Sequence, residues 1–323
     1  MVCLAGGVGG ARFLTGLRDL LRRTDPDATL TAIVNTGDDI TLHGLRICPD
    51  LDTVMYTLGA GIDTERGWGR SGETWRVRDE LAAYGAGPAW FGLGDQDLAT
   101  HLVRTEMLDS GYPLSAVTEA LCARWDPGVR LLPMTDARAE THVVISDAGG
   151  RRAVHFQEWW IRLHAEVPAE EFVQVGIESA QPAPGVLEAL AAADVVIFAP
   201  SNPVVSVGTI LGVPGLREAL RATRGGVVGL SPIVGGAPLR GMADACLTAI
   251  GVETSAQGVG RHYASRSGAD SGGGVLDAWL VDTVDAGSTV PGARVHAVPL
   301  LMHDAAATQA MAAAALRAAA EAQ

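Results

Sequence analysis

Met1-Val2-Cys3-Leu4-Ala5 runs straight into Gly6-Gly7-Val8-Gly9-Gly10, and the residues from Ala11 to Arg23 then place Leu14, Leu17, Leu20 and Leu21 at helical spacing. A short apolar strand, a glycine turn and an amphipathic helix make the opening βα unit of a nucleotide-binding fold. The turn is not a standard dinucleotide fingerprint: Arg12 stands where the third glycine of GxGxxG would fall, and no GxxxxGK[ST] is present. What remains is a row of backbone N–H groups at a helix N-terminus, able to approach a phosphate closely, with Arg12 as a charged donor. Gly6, Gly7, Gly9, Gly10 and Arg12 are therefore candidate phosphate-binding residues, against the plainer reading of a tight structural turn.

Outward from this unit, a second strand, Leu30–Val34, ends in Asn35-Thr36-Gly37-Asp38-Asp39, just past a strand's carboxyl end, where open α/β sheets bind ligands. Residues 50–130 read as mostly helical, with segments at Leu51–Leu58, Thr74–Tyr84, Leu98–Leu108 and Leu114–Arg124, followed by a strand at Val129–Pro133. The pattern then changes. Thr141–Ser146 and Arg152–Phe156 alternate about Asp147-Ala148-Gly149-Gly150, which predicts a β-hairpin. From 185 the α/β rhythm resumes, with a helix over 185–193, strands at Asp194–Ala199, Val227–Leu230, 278–282 and 294–298, and an Ala-rich C-terminal helix over 304–322. The expected fold is α/β: a Rossmann-like, mostly parallel sheet flanked by helices, with a helical region and a small β-hairpin insert. Residues 1–134 and 185–323 would form the nucleotide-binding core and 135–184 the insert.

Of the 323 residues, 24 are basic against 37 acidic, a formal charge of −13, which argues against nucleic acid or an anionic membrane as partner. Every one of the 24 is Arg. Without Lys, Schiff-base and pyridoxal chemistry and P-loop kinase chemistry are excluded. The four cysteines, Cys3, Cys48, Cys122 and Cys246, show no CxxC and no paired spacing, so neither a zinc ribbon nor a disulfide framework is expected. The N-terminus lacks the basic and long apolar regions of a signal peptide, and no apolar run reaches spanning length, so the expected location is the cytoplasm.

The chemistry-bearing residues concentrate after the second strand. Asp38, Asp39, His43, Asp50 and Asp52 lie within fifteen positions, and carboxylates held that close need a cation or a shared proton. Mg²⁺ is the natural cation, because it binds through one or two carboxylates plus substrate phosphate. Asp50 also precedes a helical run and is placed to cap it, as Asp97 is before Leu98. His101 and His155 have no ExxH or HxxxH partner, which argues against catalytic zinc. Ser201-Asn202-Pro203 and Ser231-Pro232-Ile233 each follow a buried strand and would return to the rim of the glycine loop, enclosing a nucleotide. Trp159 and Trp160 follow the hairpin, where one aromatic can stack on a flat heterocycle and the other pack in the core.

Seven blocks in order, GGVGGARFL (6–14), VNTGDDITLHGLRICPDLDTVMYTLG (34–59), GLGDQDLATH (92–101), LLPMTDARAETHVV (131–144), HFQEWW (155–160), PSNPVVSVGTIL (200–211) and SPIVGGAPLRGMAD (231–244), closely resemble the CofD family. The resemblance runs over essentially the whole chain. It implies an enzyme of coenzyme F-420 biosynthesis that moves a phospho-three-carbon acid from a guanosine-diphosphate-linked donor to the deazaflavin precursor Fo and releases GMP. The donor would be enolpyruvyl in actinobacterial members and lactyl in archaeal ones; a non-catalytic, nucleotide-sugar-binding relative of the same fold is the alternative. By this resemblance, Asp38, Asp39 and Asp52 are catalytic, and Asp38 and Asp39 lie in the Mg²⁺ and phosphate region. Clustering extends metal contact to Asp50 and Asp52. The glycine loop, Ser201, Asn202 and Ser231 would hold the guanosine phosphates, and Asp52, His43, Gln96 and Trp159 would hold Fo. The family shows GDRD where this chain has Gly94-Asp95-Gln96-Asp97, so a neutral amide replaces a charge that Arg70 or Arg104 would have to supply. A homodimer is the expected assembly.

Overall fold

Val2-Cys3-Leu4-Ala5 is buried along its whole length, which marks it as an interior strand of a sheet covered on both faces. The computed structural model describes residues 1–88, 90–267 and 273–322. From the N-terminus the elements are β1 (Val2–Ala5), α1 (Gly7–Thr24), β2 (Thr31–Val34), β3 (Ile40–Leu42), β4 (Leu45–Ile47), α2 (Pro49–Leu58), α3 (Arg76–Ala83), α4 (Asp95–Asp109), α5 (Leu114–Trp125) and β5 (Arg130–Pro133). Then come β6 (Glu140–Asp147), β7 (Gly150–His155), β8 (Ala169–Val175), α6 (Val186–Ala191), β9 (Val195–Phe198), α7 (Val207–Gly212), α8 (Leu216–Ala222) and β10 (Gly226–Leu230). The last part carries the two-residue strands β11 (Ile233–Val234) and β12 (Ala237–Pro238), α9 (Ala243–Ala249), α10 (Ala256–Tyr263), β13 (Ala278–Val281), β14 (Arg294–Ala297) and α11 (Ala305–Glu321).

Seven strands form one parallel sheet in the order β14-β13-β10-β9-β1-β2-β5. The chain leaves β1 toward β2 on one side and later returns to β9 on the other, so strand order reverses beside β1. That reversal opens a crevice at the carboxyl ends of β1 and β9. Side-chain alternation along β1 divides the core: Cys3 and Ala5 join the layer of α1, α2 and α11, whereas Val2 and Leu4 join the layer of α6 to α10. Gly16 lets α1 approach α11 closely, because a Cβ there would meet Thr308.

The expected hairpin is present as β6 and β7, with Asp147 opposite Gly150. It is not a hairpin alone: β8 pairs along the other edge of β6 and completes a three-stranded antiparallel sheet. Ala169–Val175 has no fully buried face and gives only a weak period-two signal. Val143, Ile145, Val154, Phe156 and Trp159 from this segment sit in the same core as Leu4 and Phe198 of the main sheet. The β3–β4 hairpin, unforeseen in the sequence, turns through His43 and Gly44, both at positive φ, and projects Ile40, Leu42 and Ile47 into a small separate cluster with Leu93.

Candidate active site

The residues just past β1, β2, β9 and β10 converge on one cleft of ≈ 1280 Å³. Its floor is the glycine turn. Gly9 lies so close to the Pro200 carbonyl that a Cβ would stand 2.8 Å from it, and Gly10 would bring its Cβ to 2.6 Å from Ser201 Oγ. Ser201 fastens the turn from the β9 side: its hydroxyl accepts from Gly6 N at 3.1 Å and donates to Gly6 O at 2.8 Å. The glycines are needed because two strand ends touch here, whatever else the turn binds. Gly6, Gly7 and Gly9 line the cleft together with Arg12, Ser201, Asn202 and Ser231, while Gly10 is packed beneath.

Four aspartates, Asp38, Asp39, Asp50 and Asp52, are buried beside this floor. Asp50 accepts from Asn35 Nδ2 at 2.9 Å. Burial raises its carboxyl to about 6, even though Asn35 and the Gly7 N–H favour the charged form. Burial, and then the nearby charge of Asp50, push Asp38 well above the usual carboxylate range, and its Oδ1 has no partner. Asp39 faces the other way. It is held by Arg46 at 3.0 Å and by the Cys48 thiol, and burial against these partners leaves it at about 6. Asp39 is not among the cleft-lining residues, so it is displaced from the reaction region in which the sequence placed it.

Asp52 is gripped by Arg104, a guanidinium only 1% exposed that also donates to His101 Nδ1 at 3.1 Å and to the Arg46 carbonyl at 3.3 Å. An arginine can only donate, so this contact makes Nδ1 the acceptor, and Nε2 lies 3.5 Å from Asp97 Oδ2. Asp97 in turn accepts from the Tyr56 hydroxyl at 2.6 Å. Burial lifts the Asp52 carboxyl, partly opposed by Arg104 and His101; burial also acts on Asp97, where His101 and Tyr56 outweigh it and hold the carboxyl low. Asp52 Oδ2 has no hydrogen-bond partner. Asp52, Tyr56, Asp97 and His101 all line the cleft. Asp97 is thus no helix cap, since Gly94 takes that position.

Asp97, His101 and Arg104 are the functional residues that sequence reasoning treated one by one. Their spacing of four and then three along α4 is the signal that they share one helix face. Several expected contacts fall elsewhere. His43 sits exposed at the β3–β4 turn, on a separate small hollow with Phe91 and Leu98. Gln96 turns its amide to the Gly72 carbonyl, and Arg70 donates to the Gln96 carbonyl while stacking on Trp125, so neither restores a charge to the cleft. Trp159 is fully buried, with Nε1 bound to the Val167 carbonyl, and its neighbour Trp160 lines the cleft instead. The switch follows from adjacency: one step along the helical turn Glu158–Arg162 moves a side chain from core to surface. Among the described residues no three His, Cys, Asp or Glu side chains converge as a metal cage, so Asp38, Asp39, Asp50 and Asp52 are not gathered round one point.

The family model of the 2-phospho-L-lactate transferase CofD matches residues 1–319. The chain belongs to the CofD family. CofD-family relatives include a phosphoenolpyruvate transferase of Thermobifida fusca, 62% identical over 98% of this chain and 96% of its own length. Proteins of the same name from Nocardia farcinica and Streptomyces griseus are 63% and 62% identical, over 94% and 99% of this chain and 90% and 98% of theirs. A crystal structure of a UPF0052-family protein from Bacillus halodurans shares the fold, with a TM-score of 0.59 at 16% identity over 98% of this chain and 97% of that one. Among the described residues no helix is long and apolar enough to cross a membrane.

Proposed function

We propose that this CofD-family transferase moves a phosphoenolpyruvyl group from an enolpyruvyl-diphosphoguanosine donor to the ribityl hydroxyl of Fo in coenzyme F-420 biosynthesis. The observation that carries the reading is the placement of Asp52, whose Oδ2 has no hydrogen-bond partner, in the same cleft as a glycine turn fit for a diphosphate. The cleft is larger than the roughly 300–1,000 Å³ of a single small-molecule site, which suits two reactants. The hydroxyl oxygen attacks the phosphorus that bears the three-carbon acid, the bond from that phosphorus to the bridging oxygen breaks, and GMP leaves with that oxygen. Asp52 Oδ2 receives the hydroxyl proton. Its burial brings the carboxyl nearer to working pH, and Arg104 fixes its orientation. Asp39 acts from behind, holding Arg46 and the β3–β4 hairpin in place.

Mg²⁺ fits two of the expected carboxylates. The charge of Asp50 raises the cost of ionising Asp38, and Asp38 Oδ1 is buried without a partner; two carboxylates plus substrate phosphate oxygens are the usual donor set. When bound, the ion neutralises diphosphate charge. The chain would work in the cytoplasm as a homodimer. A lactyl donor is the second reading, favoured by the description of the matching family as a 2-phospho-L-lactate transferase. Incubating the purified protein with Fo, Mg²⁺ and each donor, followed by mass spectrometry, separates them. A phosphoenolpyruvyl adduct appearing with GMP supports the first reading and a phospholactyl adduct the second. No adduct from either donor with folded protein would refute both.

A further inference from the structure

Three guanidiniums line the cleft, those of Arg12, Arg66 and Arg240. Two are engaged. Arg12 donates to the Met302 carbonyl; Arg66 pairs with Asp63 at 3.0 Å, donates to the Arg70 carbonyl and lies over Trp68 and Trp75. Arg240, just after β12, has no carboxylate or carbonyl partner among the described residues, in a chain where acids outnumber bases 37 to 24. An unpaired guanidinium facing a cleft with buried carboxylates is placed for an anion that comes from outside the chain.

Its position narrows the anion. The strap between Ile62 and Arg70 is closed by a bridge between those two residues and reaches the glycine turn at Gly67. A Cβ on Gly67 would stand 3.0 Å from an Arg240 guanidinium nitrogen and 3.3 Å from Val8 Cγ1. Gly67, at φ +78°, therefore leaves a slot in which the Arg240 guanidinium lies close to Val8, between Gly7 and Gly9. The free guanidinium thus stands beside the glycine turn, where helix α1 begins. We propose that Arg240 is a binding residue for the diphosphate of the nucleotide-linked donor, seated there by the absence of a side chain at Gly67. The proposal rests on the reading of the cleft as a nucleoside-diphosphate site and adds to it a contact from the segment after β12.

Calorimetric titration of the full chain with GDP and, separately, with uncharged guanosine tests it, comparing the parent with Arg240→Gln and Arg240→Lys. Arg240→Gln should weaken GDP by roughly 10- to 100-fold, the range for a lost charged hydrogen bond, and leave guanosine unchanged. Arg240→Lys should fall between, keeping charge but losing the planar fork. Gly67→Ala should mimic Arg240→Gln in part, because the flexible guanidinium is the group that gives way. If the parent binds GDP and Arg240→Gln binds it equally well, the assignment of Arg240 fails while the nucleotide site stands. Equal losses of GDP and guanosine would also overturn it, since Arg240 would then only shape the wall. Parental GDP affinity in Gly67→Ala would remove Gly67 from the proposal. A parent that binds neither ligand would refute the nucleotide reading, and this proposal with it.

Discussion

Replacing Arg104 with Met keeps most of the side chain's volume but strands Asp52. Arg104 is 1% exposed and supplies the pairing partner of Asp52, a donor to His101 and a donor to the Arg46 carbonyl. Breaking a buried pair from one side costs about 3–5 kcal/mol, because the partner's charge is left uncompensated, whereas removing both charges is far milder. Arg104→Met should therefore destabilise the protein by about 3–5 kcal/mol at pH 7, and adding Asp52→Asn should recover at least about 2 kcal/mol of it. The loss should shrink as pH falls. Without Arg104 the Asp52 carboxyl rises further above its unfolded value, and a group raised on folding contributes its stability below the unfolded pKa and loses it as pH climbs through the folded one. Denaturant unfolding of parent, both single variants and the double variant at pH 5 and pH 7, at constant m, gives all four numbers. A cost for Arg104→Met below about 1 kcal/mol, or strictly additive single variants, would show that the pair is not the desolvated lock described above.

Asp50 sits at about 6 in the fold against 3.8 in the reference state, so it takes up a proton on folding between those values and stability should rise as pH is lowered from about 7 to about 5. Asp50→Asn should flatten that part of the melting-temperature profile relative to the parent, and an unchanged profile would contradict the assigned shift. Trp159→Ala should cost about 3–5 kcal/mol as a core cavity. Trp160→Ala should leave the melting temperature near the parent's and raise an apparent KM; the reverse pattern in steady-state kinetics and calorimetry would mean that the two rings were assigned to the wrong sides. Gln96→Arg, which introduces the residue the family pattern shows at this position, should leave kcat/KM unchanged because position 96 faces Gly72 and not the cleft. A clear gain in turnover would place that side chain in the site.

The first βα unit, the parallel sheet and the C-terminal helix were legible because each rests on an uninterrupted local pattern: a four-residue apolar strand, a glycine break, leucines at helical spacing. The β3–β4 hairpin was not, since Ile40–Ile47 folds back within eight residues about a His-Gly turn and mixes apolar and polar residues on strands of three. Helices α7 to α10, none longer than eight residues, were not among the expected elements. In the site, the glycine turn, Asp38, Ser201, Asn202 and Ser231 reach the rim because strand ends deliver them there, and Asp50 and Asp52 because the first turn of α2 does. What sequence proximity could not convey was direction. Asp38 and Asp39 are neighbours with opposite fates, as are Trp159 and Trp160, and only the packing around each decides which of the two faces the substrate side.

The central place of β1 has a consequence for how the chain is made. One edge of Val2–Ala5 is closed only by β9, about 190 residues later in the chain, or roughly 10–40 s at ordinary elongation rates. Throughout that interval the nascent chain carries an apolar strand with open backbone donors and acceptors, the kind of edge that templates misassembly. The cleft closes later still, because Leu300, Leu301, Met302 and His303 complete its wall. A complete cleft therefore waits on the segment Leu300–His303, and deleting that segment should remove activity although Asp38, Asp50 and Asp52 are already in place.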